Sequence, residues 1–235
     1  MSFPNKNPNS IVLRNEYYKS GLKELAIWNH YQKNKILILE NVKNNPIIIF
    51  FATEVNKSIV IRNSKGKKII LNFANYDRII SGRTISIAVE TEKILDEYII
   101  DVDYPTNITE NYKKQFLTKV LDFFKTLSEV KMFRVFLTSS GYHVHGQLDK
   151  KINYKIALNV LRKKLNFYFS KDDCTIDTKS SEKSKINLDL SPINRGAFTV
   201  PFALNRNGLI CLDVTNNYLI FDRRQAVIKT EVQNV

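Results

Sequence analysis

The sequence predicts an α+β protein in which a β-α-β-β-α-β unit fills the second part of the chain, joined to a mixed α/β unit before it. Three observations predict this. From residue 98 onward, short apolar runs bounded by polar turns alternate with longer stretches of helical spacing. Their order is strand, helix, strand, strand, helix, strand, the split β-α-β arrangement. A composition of 43% hydrophobic and 25% charged residues supports a packed core, and seven glycines and six prolines are too few for linkers. The expected division is residues 1–97 and residues 98–235.

In the first part, "EYYKSGLKELAIWNHYQKNKILIL" has helical character that Gly21 interrupts. "PIIIFFATEV", "SIVIRNSKGKKIILNF" and "RTISIAVE" read as strands, the middle one as a hairpin turning at residues 64–66. In the second part "YIIDV" is a strand. A helix follows, with Thr109 as N-cap and Phe116, Leu117, Val120, Leu121, Phe124 and Leu127 at helical spacing. "FRVFLT" is a strand, "SSG" a turn and "YHVHGQL" a third, alternating strand. A second amphipathic helix puts Ile156, Ala157, Val160, Leu161 and Leu165 on one face. A polar Lys- and Ser-rich loop leads to the strand "KINLDL", and "FTVPFALNRNGLICLDV" continues as strand, turn and strand. In this topology the first and third strands are neighbours at the sheet centre, which sets Asp101 and Asp103 beside His143 and His145.

Thirty-six basic against 23 acidic residues give a formal charge of +13, which favours a polyanionic partner such as nucleic acid or nucleotide. Basic clusters at residues 65–68, 162–164 and 179–185 are placed to track template phosphates. No run approaches the ~20 apolar residues of a membrane span, and the polar start "MSFPNKNPNS" does not read as a signal peptide. The expected setting is cytoplasmic, nucleoid-associated or an equivalent intracellular compartment, with no membrane partner. Two cysteines, Cys174 and Cys211, with three histidines are too few for a Cys-rich zinc module, so both are expected as free thiols.

The chemistry concentrates in three motifs. In "YIIDVDYP" the carboxylates of Asp101 and Asp103 share one strand face, roughly 6.5–7 Å apart along the chain. Unpaired, they are costly through desolvation and mutual repulsion. With Asp189 of "INLDLSP" they form a set of hard oxygen ligands suited to two Mg²⁺ or Mn²⁺ ions, the device of phosphoryl and nucleotidyl transfer. In "TSSGYHVHG", Ser139 and Ser140 offer hydroxyls and backbone N–H groups to a phosphate, with His143 adjacent. In "DLSPINRGAFTVPFALNRNGL", Arg195 and Arg206 offer guanidinium groups to a triphosphate. Taken singly each has a plainer role: a solvent-facing strand end, a hydrogen-bonded histidine, a surface arginine.

Together the motifs resemble those of the archaeo-eukaryotic primase superfamily, which includes the small catalytic primase subunit and the polymerase domain of bacterial end-joining ligases. The matching residues are Asp101 and Asp103, Ser140-Gly141-Tyr142-His143, and Asp189, followed by an Arg and the Pro-Phe-Ala-Leu-Asn of residues 201–205. The similarity runs from about residue 98 to residue 213. It implies an RRM-like catalytic unit packed against the N-terminal unit, with the active site between them. It also implies a nucleotidyltransferase, a template-dependent DNA primase-polymerase of replication or repair. Asp101, Asp103 and Asp189 would be catalytic and metal-binding, and Ser139, Ser140, His143 and Arg195 would bind the (d)NTP. Expected partners are a DNA template-primer and an accessory primase subunit, helicase or ligase. The superfamily's zinc-binding insertion has no counterpart here, so no zinc module is expected.

Two rival readings use the same residues. "HVH" with Tyr168 and Lys171 of "YFSK" also fits a replication-initiation nuclease of the His-hydrophobic-His type, which cuts DNA through a tyrosine-phosphate link. That reading leaves Asp101, Asp103 and Asp189 without a task. A non-catalytic RRM-like nucleic-acid-binding protein is the other rival, but "RVFLTSS" lacks the stacking aromatics such a module needs.

Overall fold

The computed structural model describes residues 24–43, 45–54, 57–61, 69–138, 141–177, 184–205 and 209–228. The fold is α+β, with two sheets and six α-helices among these residues. The chain forms two compact units. One contains Thr91–Ala197 with Asp213–Phe221; the other takes the chain up to Glu90 with Phe198–Leu212 and the chain from Asp222 on. The first crossing thus lies seven residues before the expected boundary, and the segment after residue 197 largely returns to the N-terminal unit. The reason is backbone pairing, since Val200 donates to the Ile87 carbonyl at 2.9 Å.

In the N-terminal unit, helices α1 (Glu24–Lys33) and α2 (Lys35–Val42) precede strands β1 (Pro46–Glu54), β2 (Lys57–Ile61) and β3 (Ile69–Ile70). A short helix α3 (Tyr76–Ile79) leads to β4 (Thr84–Glu90). The expected helix over residues 16–39 is two helices meeting at Asn34, and its first residues, with Gly21, lie outside the described ones. The expected hairpin is corrected: β2 and β3 both pair antiparallel with β1, not with each other. Its turn at residues 64–66 lies outside the described residues. Ile27, Tyr31, Ile38 and Val42 of the helices are buried, as are Ile47, Ile49, Ile87 and Val89 of the strands. Tyr76 donates its hydroxyl to the Tyr31 carbonyl at 2.9 Å, so even the buried phenols are satisfied.

The second unit begins with β5 (Ile94–Asp103), α4 (Glu110–Lys125), β6 (Val130–Leu137) and β7 (Tyr142–Asn153). It continues with α5 (Tyr154–Tyr168), β8 (Cys174–Ile176), β9 (Ile186–Asp189) and α6 (Ser191–Arg195), before β10 (Ala197–Thr199) joins the other sheet. Its sheet runs β6-β7-β5-β9-β8, the split β-α-β order with β8 added as a parallel edge strand from the loop. Thr109 caps α4 as expected, accepting from the Tyr112 N–H. Phe116, Leu117, Val120, Leu121 and Phe124 are buried, joined by Phe123. Of the expected α5 stripe, Ala157, Leu161 and Leu165 are buried, joined by Leu158, whereas Ile156 is 57% exposed and Val160 is only half-buried. Asn153 caps the helix from the end of β7, accepting from the Lys155 N–H.

Gly146 on β7 permits this packing. A Cβ there would lie 2.4 Å from the ring of Phe124, itself wholly buried. Gly146→Ala is therefore expected to destabilise the protein by about 1–3 kcal/mol, seen as a lower urea midpoint at unchanged slope. Adding Phe124→Leu should recover part of that loss, and an additive double mutant would contradict the contact.

Candidate active site

Side chains alternate along a strand, so Gly146 identifies the two faces of the central sheet. Its Cβ direction meets α4, hence His143 and His145, at odd spacing from it, lie on the opposite face. In the ladder Asp101 stands across from His143 on one side and from Asp189 on the other. Asp103 stands across from Asn187, and Arg134 and Phe136 of β6 across from His145 and His143. One face therefore carries Asp101, Asp103, Asp189, His143 and His145 together. Tyr98, Ile100, Val102, Val144 and Leu188 are buried on the helical face.

The electrostatics follow from that placement. His143 is buried, and its Nε2 lies 3.4 Å from Asp101 Oδ2. Burial alone pushes the imidazole pKa down, but the Asp101 carboxylate, aided by Asp103 and Asp189, outweighs it and raises the pKa above the ordinary value. Asp101 Oδ1 is buried and has no hydrogen-bond partner among the described residues. Asp189 is held by Ser191, whose N–H and hydroxyl each donate to one carboxylate oxygen at 2.7 Å. This Asx-type turn opens α6.

The hairpin between β6 and β7 abuts this site. Thr138 donates its N–H to the Gly141 carbonyl at 3.1 Å, and the Gly141 N–H donates to the Thr138 hydroxyl at 3.1 Å. A Cβ on Gly141 would lie 1.7 Å from the Val102 carbonyl oxygen and 3.4 Å from Asp103 Cα, so only glycine lets the turn lie against the end of β5. Ser139 and Ser140, at the tip, lie outside the described residues, as does Arg206. Arg195 ends α6, with only its backbone described.

Other expected residues are separated from the carboxylates. Residues 162–164 belong to α5, where Arg162 pairs with Asp177 and Lys164 with Glu129 at 2.8 Å. They sit on the helical side of the sheet, away from the carboxylates. The clusters at residues 65–68 and 179–185 lie mostly or wholly outside the described residues; Lys185, the exception, stands 3.4 Å from Asp173. Tyr168 ends α5 with its ring 5.3 Å from that of Phe123 and 5.0 Å from that of Phe169. It packs on the layer opposite the two histidines, as the helix reading expected. Neither cysteine is in a disulfide, and burial pushes the Cys174 thiol up to about 11.

One polar residue was missed. Glu97 precedes Asp101 by four residues on the same strand face and places Oε2 3.1 Å from His145 Nδ1. The signal was the alternation of Glu97, Ile99, Asp101 and Asp103 along "EYIIDVD".

The donor set fits a divalent cation in kind, by three carboxylates on one face and an orphaned Asp101 oxygen. The side chains are not drawn into a coordination sphere: no group of three or more His, Cys, Asp or Glu among the described residues stands at metal-holding distance.

Comparison with solved structures finds the polymerase domain of Mycobacterium tuberculosis Ligase D in complex with DNA. The likeness has a TM-score of 0.71 and covers 96% of this chain and 93% of that one, at 13% sequence identity. At that identity it establishes the α+β fold. No protein-family model and no curated protein sequence matches the chain.

In metal-free protein the raised His143 value predicts a pH dependence of stability. Its contribution is complete below the unfolded imidazole value of 6.5 and is lost as pH rises through the higher folded value. NMR titration should place the His143 midpoint above 6.5, and Asp101→Asn should lower it. A midpoint below 6.5 in the wild type would mean that burial outweighs the carboxylates.

Proposed function

We propose that the chain is a template-dependent DNA primase-polymerase, which adds (d)NTPs to a primer 3′-end and belongs with the archaeo-eukaryotic primases. The observation that carries the reading is the carboxylate face itself, Asp101 opposite Asp189 with Asp103 alongside and His143 against them. Its support from outside the chain is the shared fold with a polymerase domain seen with DNA.

The reaction joins the primer 3′-oxygen to the α-phosphorus of the nucleotide and breaks the bond to pyrophosphate, the hydroxyl proton passing to solvent. Asp101, Asp103 and Asp189 would hold two Mg²⁺ or Mn²⁺ ions, which when bound make the 3′-hydroxyl more acidic and offset the phosphate charge. The chain's own contributions are positional. The ladder fixes Asp101 and Asp189 on adjacent strands, and Ser191 fixes the Asp189 carboxylate plane. His143, charged more readily than an ordinary imidazole, is suited to a polyphosphate. Ser139 and Ser140 at the hairpin tip, with Arg195 after Asp189, would complete the nucleotide site. The remaining excess of Lys and Arg would bind the template-primer backbone.

Primer extension tests this. Asp103→Asn keeps shape and removes an anionic ligand, so incorporation should fall at least ~100-fold with the unfolding midpoint retained or raised by relieved repulsion. Normal extension by the folded variant would sink the assignment. Tyr168→Phe should extend primers nearly as wild type and lose about 1 kcal/mol of stability at most. A covalent protein–DNA adduct that vanished in this variant would instead favour the nuclease.

A further inference from the structure

Beside the carboxylates, the same sheet face carries a second polar pair that the proposed reaction does not use. His145 and Glu97 lie on the two central strands, with His145 Nδ1 3.1 Å from Glu97 Oε2. The His145 side chain is 6% exposed and that of Glu97 25%. An ionised carboxylate only accepts hydrogen bonds, so Nδ1 must carry the proton in this contact. That excludes the tautomer protonated only on Nε2 and fixes the ring plane. The ring is held from another side by Phe136, edge to face at 4.9 Å and 75°.

Held in this way, His145 forms a wall beside His143, the ring centroids 6.2 Å apart and tilted by 44°. Phe136 also stands directly across the ladder from His143. His143 thus has the His145 ring beside it and Phe136 as its ladder partner, and its Nε2 faces Asp101. We propose that Glu97 and His145 are positioning residues for His143: the Glu97 carboxylate sets the His145 ring, and that ring holds His143 in the orientation that faces Asp101. The inference rests on the polymerase reading for its catalytic meaning, but its geometry stands without it.

The test uses the full chain, metal-free, labelled with ¹⁵N-histidine for NMR, alongside primer-extension kinetics. In the wild type the neutral His145 ring should be the Nδ1-protonated tautomer, and His143 should give one sharp set of ring signals. Glu97→Ala should release the His145 tautomer, broaden or split the His143 signals, and raise the nucleotide KM about 10-fold, the scale seen when a supporting hydrogen bond is removed. DNA affinity should stay within a factor of two, since no phosphate contact is assigned to either residue. Glu97→Gln, whose amide oxygen still accepts, should keep the tautomer and fall nearer to the wild type. An Nε2-protonated His145 in the wild type would overturn the proposal, and that measurement needs no variant to fold. So would Glu97→Ala with unchanged His143 signals and unchanged KM. A wild type unable to extend primers would refute the polymerase reading while leaving the tautomer and ring-order results to decide the positioning.

Discussion

Asp101 and Asp189 face each other across a ladder of backbone hydrogen bonds, and two like charges so placed repel. Like charges directly opposite each other on adjacent strands are destabilising. The structure offsets the repulsion piecemeal. His143 stands against one oxygen of Asp101, and Ser191 supplies two donors to Asp189. What remains is an inner Asp101 oxygen with no partner among the described residues. A cation is the simplest species that would answer it. The cation reading thus rests on that buried oxygen.

The opposite face of the sheet supplies the stability that tolerates this arrangement. Tyr98, Ile100 and Val102 alternate with the acidic positions of β5 and are fully buried with Val144 and Leu188. The helices α4 and α5 complete that layer through Phe124 and Leu161. Because side chains repeat every two residues, slipping β5 by one would turn its carboxylates into the helical layer and its apolar residues outward. Burial therefore fixes the register, and the register fixes which acid faces which.

Much of this was legible in the sequence because it depends on local period. The strand "YIIDV", the cap at Thr109, the stripe from Phe116 to Phe124 and the adjacency of Asp101 and His143 all follow from spacing and topology. The failures share a cause: each was decided by a partner remote in sequence. Both strands at residues 57–61 and 69–70 read as a hairpin because their neighbours in sequence are each other, yet each pairs with β1. The α5 stripe held at Ala157, Leu161 and Leu165 but included Ile156 and Val160 in place of Leu158, since these are as apolar as Leu158 and only docking decides which faces the sheet. The strand at residues 197–199 follows the catalytic motifs in sequence, yet it lies beside β4 in the first sheet. Glu97 escaped notice because an acid just before the apolar run resembles a solvent-facing one until pairing with β7 brings His145, the ladder partner of Ile99, diagonally beside it.

The two histidines also bear on the rival chemistries. A His-hydrophobic-His metal pair turns both imidazoles toward one ion. Here His143 and His145 share a strand and a face but address different carboxylates, His143 meeting Asp101 and His145 meeting Glu97. Those acids are four residues apart on β5, roughly 13 Å along the strand, while the two ring centroids are 6.2 Å apart. The tyrosine that such a nuclease would need packs among Phe123 and Phe169 on the other side of the sheet. Among the described residues it is the carboxylates of Asp101, Asp103 and Asp189 that the proposed chemistry uses, with His143 as their neighbour.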